Sequence, residues 1–322
     1  MALLSRVAEN LFWLGRYVER AENTARLLDV TYHGRLEPTA SEVIGATNTW
    51  EALVATLGLE AEYRALHNDA PETSVIEFLT VDRRNSSSIV SAIVHARANA
   101  GSVRDYLSSE TWVAINRLYH SIVSSNIYLI LADGLYDFCD TVRLGSHLFN
   151  GAADATSLHD EGWHWMRVGM FVERADMVTR IVDSKYHLLM TSPEEVGSPV
   201  DRFQWVAVLR SVSGWEAYRR SHDEVEPAGV VEFLMLSDTF PRSLRRSIDS
   251  LADCLDRATL GAERKLRNPP MRRVSELQSR LEFGTAETLI LRGLHEFVDD
   301  IQGSLAALTT EVSDGFFWLG KD

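Results

Sequence analysis

Residues 12–33 read FWLGRYVERAENTARLLDVTYH, and residues 166–187 read MRVGMFVERADMVTRIVDSKYH. Aligned at an offset of 154, they share nine of 22 positions, against about one expected from ordinary residue frequencies. The shared pairs are Gly15/Gly169, Val18/Val172, Glu19/Glu173, Arg20/Arg174, Ala21/Ala175, Arg26/Arg180, Asp29/Asp183, Tyr32/Tyr186 and His33/His187, and Glu22 faces Asp176. The echo continues one residue out of step. Trp50 matches Trp205, Tyr63-Arg64 matches Tyr218-Arg219, Glu77-Phe78-Leu79 matches Glu232-Phe233-Leu234, and Ser88 matches Ser243. Self-similarity of this kind predicts two tandem copies of one unit, residues 1–155 and 156–322, packed intimately into one globular unit.

The quoted stretch has helical spacing, and its surroundings agree. No proline occurs in residues 1–37 or 72–192, and strand-like alternation with Asn-Gly turns is nearly absent. The fold class predicted is all-α, a helical bundle built from two tandem, pseudo-symmetric repeats. Helices are expected near 3–35, 41–57, 86–107, 110–150, 158–190, 201–219, 241–266 and 271–310. The 322 residues carry a net charge of −14, which argues against general binding to nucleic acid or to anionic lipid. Cys139 and Cys254 are the only cysteines, too few for a disulfide framework or a metal knuckle. Arg6, Glu9 and Asn10 interrupt any signal-peptide core. The least charged apolar run, 118–132, is too short to span a bilayer about 30 Å thick. A soluble, cytoplasmic protein is therefore expected.

On a helix, Leu14, Tyr17, Val18, Ala21, Ala25 and Leu28 form one apolar face. Arg16, Glu19, Glu22, Asn23, Arg26, Asp29 and His33 fall on the other side. Solvated faces tolerate almost any polar residue, since changes there are worth about ±0.5 kcal/mol. The polar stripe nevertheless repeats as well as the apolar one, which predicts that both are enclosed. The two first helices would then face each other, bringing Glu19, Arg20 and Arg26 near Glu173, Arg174 and Arg180. Two readings stay open. A Glu–Arg network can simply hold two helices in register. Alternatively, guanidinium forks grip carboxylates or phosphates while carboxylates grip amines, which suits a zwitterion, a peptide end or an acyl phosphate.

Other motifs are weaker. Glu161 and His164 form a Glu-x-x-His of the kind found in di-iron bundles. No second copy exists, so no metal is expected. Cys139 reads as a buried thiol rather than a nucleophile. The basic run Arg264-Lys265-Arg267, continued by Arg272-Arg273, and the pair Arg83-Arg84 read as solvated surface. Trp13, Trp50, Trp112, Trp205 and Trp215 read as core.

The segments LLSRVAENLFWLGRYVERAENTARLLDV and GWHWMRVGMFVERADMVTRIVD resemble the two signatures of the bacterial alpha-E family, and EFLTVDRRNSSSIVSAIVHARANAGSVRDYLSSETWVAIN resembles its central stretch. Here Asn85-Ser86-Ser87-Ser88 stands where that family usually has a proline before the serine. The resemblance implies company more than chemistry: a circularly permuted ATP-grasp ligase, and sometimes a transglutaminase-like peptidase. On that basis the chain is expected to serve ATP-dependent amide-bond formation, with ATP supplied through the partner ligase and no cofactor of its own. Glu19 and Glu173 are the candidate catalytic residues, binding or deprotonating an amino group. Arg16, Arg20, Glu22, Arg26, His33, Arg174, Asp176, Arg180 and His187 are the candidate residues for an amino acid or peptide substrate. The alternatives are a non-catalytic scaffold for the ligase or its product, and a metal-binding bundle.

Overall fold

The computed structural model describes residues 3–36, 49–185, 198–291 and 293–317, and every regular element among them is helical. The first run comprises α1 (Ser5–Leu36), α2 (Thr49–Thr56), α3 (Glu60–Arg64), α4 (Glu72–Thr80), α5 (Ile89–Ser102), α6 (Ser109–Ile122), α7 (Ile127–Asp133) and α8 (Leu135–Thr156). The second comprises α9 (Glu161–Ser184), α10 (Pro199–Ser211), α11 (Trp215–Arg219), α12 (Pro227–Val231), α13 (Leu244–Ala258), α14 (Arg264–Glu282), α15 (Ala286–Leu291) and α16 (Leu294–Val312). Helices α3 and α11, α4 and α12, α5 and α13, and α6 and α14 each begin 155 residues apart. Ser88 and Ser243 cap α5 and α13 in the same way, each accepting the backbone N–H three residues on.

Helices α1 and α9 share the most extensive contact between any two elements. Their approach is set by two glycines. A Cβ on Gly15 would stand 2.0 Å from the Met166 carbonyl oxygen, and one on Gly169 would stand 2.0 Å from that of Phe12. Only glycine lets the two backbones touch there. Helices α5 and α8 pack on α1, while α13 and α16 pack on α9. The middle of helix α1 is thereby covered all round: Leu14, Val18, Ala21, Ala25 and Leu28 are buried, and so are Glu19, Glu22, Asn23, Arg26 and Asp29.

Several expected helices are shorter than the periodicity suggests. The 110–150 stretch is three helices rather than one. Asn126 accepts the Leu129 N–H and starts α7, and Gly134, at φ 107°, turns the chain into α8. Ser213, at φ 52°, and Gly214 separate α10 from α11 within the expected 201–219 helix. Helix α14 begins at Arg264, ahead of the expected 271, and runs through Pro269 and Pro270. Of the expected 41–57 helix, residues 41–48 lie outside the described residues. Trp50 and Trp205 are fully buried core, while Trp13, Trp112 and Trp215 pack half-buried against it.

Candidate functional site

Where α1 crosses α9, each Glu-Arg pair reaches for the other. Arg174 donates both Nε and Nη2 to Glu19, at 2.8 Å each. Arg20 donates Nε and Nη2 to Glu173, at 2.6 and 3.0 Å. Each carboxylate takes one further guanidinium: Arg242 on Glu19 at 3.0 Å and Arg16 on Glu173 at 2.8 Å. These are charge-assisted bonds in a dry place, the strong kind. Burial pushes the Glu173 carboxyl up, but Arg20 and then Arg16 outweigh it and pull its pKa down to about 2. Burial works against the Arg174 cation, and Glu19 more than restores it, so its pKa stands above the ordinary value.

One turn further along α1, Glu22 is fully buried and gathers a second cluster. Its Oε1 accepts from Arg26 Nη2 at 2.6 Å and from Arg242 Nη2, and His147 Nε2 lies 3.0 Å away. Its Oε2 has no hydrogen-bond partner. Burial raises the Glu22 pKa, while Arg242, His147 and Arg26 together hold it well below the usual carboxylate range. Arg26 also donates to the Ser213 hydroxyl. His147, with a side chain 54% exposed, and Ser213, also exposed, are the parts of this cluster that meet solvent.

Among the expected site residues, Glu19, Arg20, Glu173, Arg174 and Arg16 thus converge in one cross-linked group, with Glu22 and Arg26 beside it. Arg26 and Arg180 do not meet the opposite Glu-Arg pair. Arg180 instead pairs with Asp176 on its own helix at 2.8 Å, both partly exposed. His33 pairs with Asp29 at the far end of α1, half exposed. His187 lies outside the described residues. Sequence reasoning misses three participants. Arg242 comes from the loop before α13, His147 from the middle of α8, and Ser213 from the left-handed turn after α10. The one available signal is that Arg242 precedes Ser243, the counterpart of Ser88 in the repeat. Nothing local marks the long-range reach of that arginine.

The weaker motifs lie apart. Glu161 accepts the Leu3 N–H at 3.3 Å. His164 is buried, its Nδ1 has no partner, and burial followed by Arg257 lowers its pKa. Among the described residues, no three His, Cys, Asp or Glu side chains gather as a metal site. Burial pushes the Cys139 thiol far up. The basic run is paired: Lys265 with Glu263 nearby, Arg267 with Asp256 on α13, and Arg273 with Glu311 on α16. Among the described residues no helix is long and apolar enough to cross a membrane.

Residues 3–317 match the Alpha-E family, described as a predicted alpha-helical domain with a conserved ER motif. Uncharacterized proteins of Mycobacterium tuberculosis and Mycobacterium bovis are each 27% identical to it over 96% of its length. The chain spans only 37% of those relatives. No solved structure matches it. The two Glu-Arg dipeptides that clasp α1 to α9 are ER pairs of the described kind. With that motif present twice and the match running nearly end to end, the chain belongs to the Alpha-E family.

Proposed function

We propose that this chain is a non-catalytic helical partner of an ATP-grasp ligase in a bacterial amide-bond-forming system. Its reciprocal ER pairs would be the clasp that holds two duplicated halves, 1–155 and 156–322, in register. The observation that carries the reading is that Glu19 and Glu173 are buried and each is held by three guanidinium bonds. A general base needs access to its substrate and a pKa near the working pH. Glu173 is bonded on both oxygens and titrates near 2. Duplication is supported by helix starts spaced 155 residues apart and by the reciprocal glycines and ER pairs. Partnership is supported by the relatives, in which a matching domain is part of a longer polypeptide. The alpha-E resemblance supplies the ligase, the cytoplasmic setting and the transglutaminase-like peptidase as expected company.

One observation favours a second reading. Five guanidiniums, on Arg16, Arg20, Arg26, Arg174 and Arg242, surround three carboxylates, on Glu19, Glu22 and Glu173. A surplus of buried positive charge suits a substrate carboxylate or acyl phosphate held among them.

Co-expression with the cognate ATP-grasp protein separates the two. The partner reading expects co-purification, and ATP-dependent product that requires the chain. Glu19→Gln and Glu173→Gln would lower product only as far as they lower the folded fraction. A catalytic base is worth about 10²–10⁴-fold, so a loss of that size in folded complex would overturn the scaffold role. Absence of co-purification would overturn the partnership.

A further inference from the structure

The outer faces of the two halves differ, and the repeat lets each serve as a control for the other. Helices α8 and α16 begin at Leu135 and Leu294, each behind a glycine of positive φ, Gly134 at 107° and Gly293 at 93°. Positions 159 apart are therefore equivalent along them. On α8, Asp137, Thr141, Leu144, Leu148, Gly151 and Ala155 are all exposed. At 100° per residue they fall within about 80° of arc, a single stripe. Leu144 is 59% exposed and Leu148 45%. The matching positions on α16 are Glu296, Asp300, Gly303, Ala307 and Thr310, with no large apolar side chain.

At its N-terminal end the stripe runs into a cleft of about 310 Å³ at the corner of α6, α7 and α8. Leu129, Ile130 and Phe138 give the cleft an apolar lining, and among the described residues Asp133 and Asp137 are the only charged ones on its wall. Both are exposed, and neither pairs with a cation among the described residues. The second half has the same corner, a cleft of about 440 Å³ between α14, α15 and α16. There the chain supplies its own guanidinium. Arg280 lies 5.3 Å from the centre of the Phe297 ring and 3.4 Å from Asp300. Phe297 is the equivalent of Phe138. At the 155-residue spacing of α6 and α14, Arg280 is the equivalent of Ser125, which lines the first cleft. The first half thus keeps the aromatic ring and an acidic rim but lacks the guanidinium.

We propose that this cleft and the α8 stripe together dock one amphipathic helix of the ATP-grasp partner. That helix lays an apolar ridge on Leu144 and Leu148 and sends an arginine into the cleft. The proposal deepens the partner reading above and rests on it. Charge complementarity chooses the arginine: a guanidinium near Asp133 and Asp137, over an aromatic ring, gains ion pairing and cation–π attraction together. The chain itself places one at the equivalent cleft. Exposed leucines one turn apart, about two turns from the cleft, match the spacing at which an amphipathic helix is read. In the mycobacterial relatives the matching stretch is only 37% of the polypeptide, so further protein adjoins this fold there. A second copy of this chain is the poorer occupant, because each copy carries a net charge of −14.

The test is calorimetric titration of the purified full chain with the purified cognate ATP-grasp protein. Leu144→Lys with Leu148→Lys is expected to weaken binding at least about tenfold, the scale of a lost interface anchor. Asp133→Asn with Asp137→Asn weakens it at low salt and has less effect at high salt, where the charge pairing is screened. All four side chains are exposed, so the fold is retained, as circular dichroism checks. Gly303→Lys with Ala307→Lys, on the equivalent stripe of α16, leaves binding unchanged. Wild-type binding that the leucine substitutions leave intact overturns the docking face and spares the partner reading. Absence of wild-type binding overturns both. A dimer of the chain alone that the leucine substitutions dissolve, seen by sedimentation equilibrium, gives the face to a second copy and overturns the proposal. Unchanged low-salt binding in the aspartate variant overturns the place of the arginine in it.

Discussion

Glu173 lies buried between Arg16 and Arg20, and the three charges depend on one another. Taking one partner from a buried ion pair leaves an uncompensated charge, which costs about 3–5 kcal/mol. The pH dependence follows from the carboxyl's depressed pKa. In the unfolded chain this carboxyl titrates near 4.5, and in the fold near 2. Its contribution is therefore complete above 4.5 and fades as the pH falls from there toward 2. A shift of that size corresponds to roughly 3 kcal/mol at neutral pH. Glu173→Gln is expected to lower the unfolding free energy by about that amount at pH 7, with a smaller gap from wild type at about pH 3.5. Urea denaturation at the two pH values measures both gaps. Equal gaps would show that the carboxylate's charge is not what Arg16 and Arg20 hold.

Helix α1 runs for 32 residues, and its middle is covered on every side, by apolar contacts on one face and ion pairs on the other. Its crossing with α9 turns on Gly15 and Gly169, each of which lies against a carbonyl of the opposite backbone. Gly15→Ala or Gly169→Ala must push the helices apart, and overpacking of that sort costs about 1–3 kcal/mol. Gly151, in the exposed part of α8, has no atom within 4 Å of where an alanine methyl would stand. Gly151→Ala is expected to stabilise the protein by about 0.5–1 kcal/mol through helix propensity alone. Thermal unfolding should therefore move down for the first two variants and up for the third. Equal shifts would mean that the crossing is not backbone-limited. The helix breaks at Gly134 and Ser213 are harder to read from periodicity, since apolar spacing carries on across a turn that changes direction without changing burial.

Helices α1 and α9 pack on each other as well as on the helices that follow each of them, so neither residues 1–157 nor residues 158–322 own a complete core. Residues 1–157 and 158–322 expressed separately are expected to lack a cooperative thermal transition. Mixed, they should recover helicity and unfold as one complex, as pieces sharing one core do. Circular dichroism of each piece and of the mixture tests this. A half that unfolds cooperatively alone would show two independent domains behind the repeat. The same sharing decides where ligands could go. The crossing of α1 and α9 brings acidic and basic rows together, yet the space between the helices opens elsewhere, along the C-terminal third of α1.

The helical class, the repeat and the meeting of Glu19 and Arg20 with Glu173 and Arg174 are all legible in the order of residues, because helical periodicity and a matched polar stripe are local or repeated patterns. The same order marks Gly15 and Gly169 as equivalents, though not their backbone contact. Packing in three dimensions is what brings Arg242 and His147 to the Glu22 cluster, keeps Arg180 on its own helix, and lines a cavity with Asp29 and Arg210. Those relations join residues far apart in the chain through side-chain reach and helix packing. No spacing rule along a single helix encodes where a long arginine from a distant loop comes to rest.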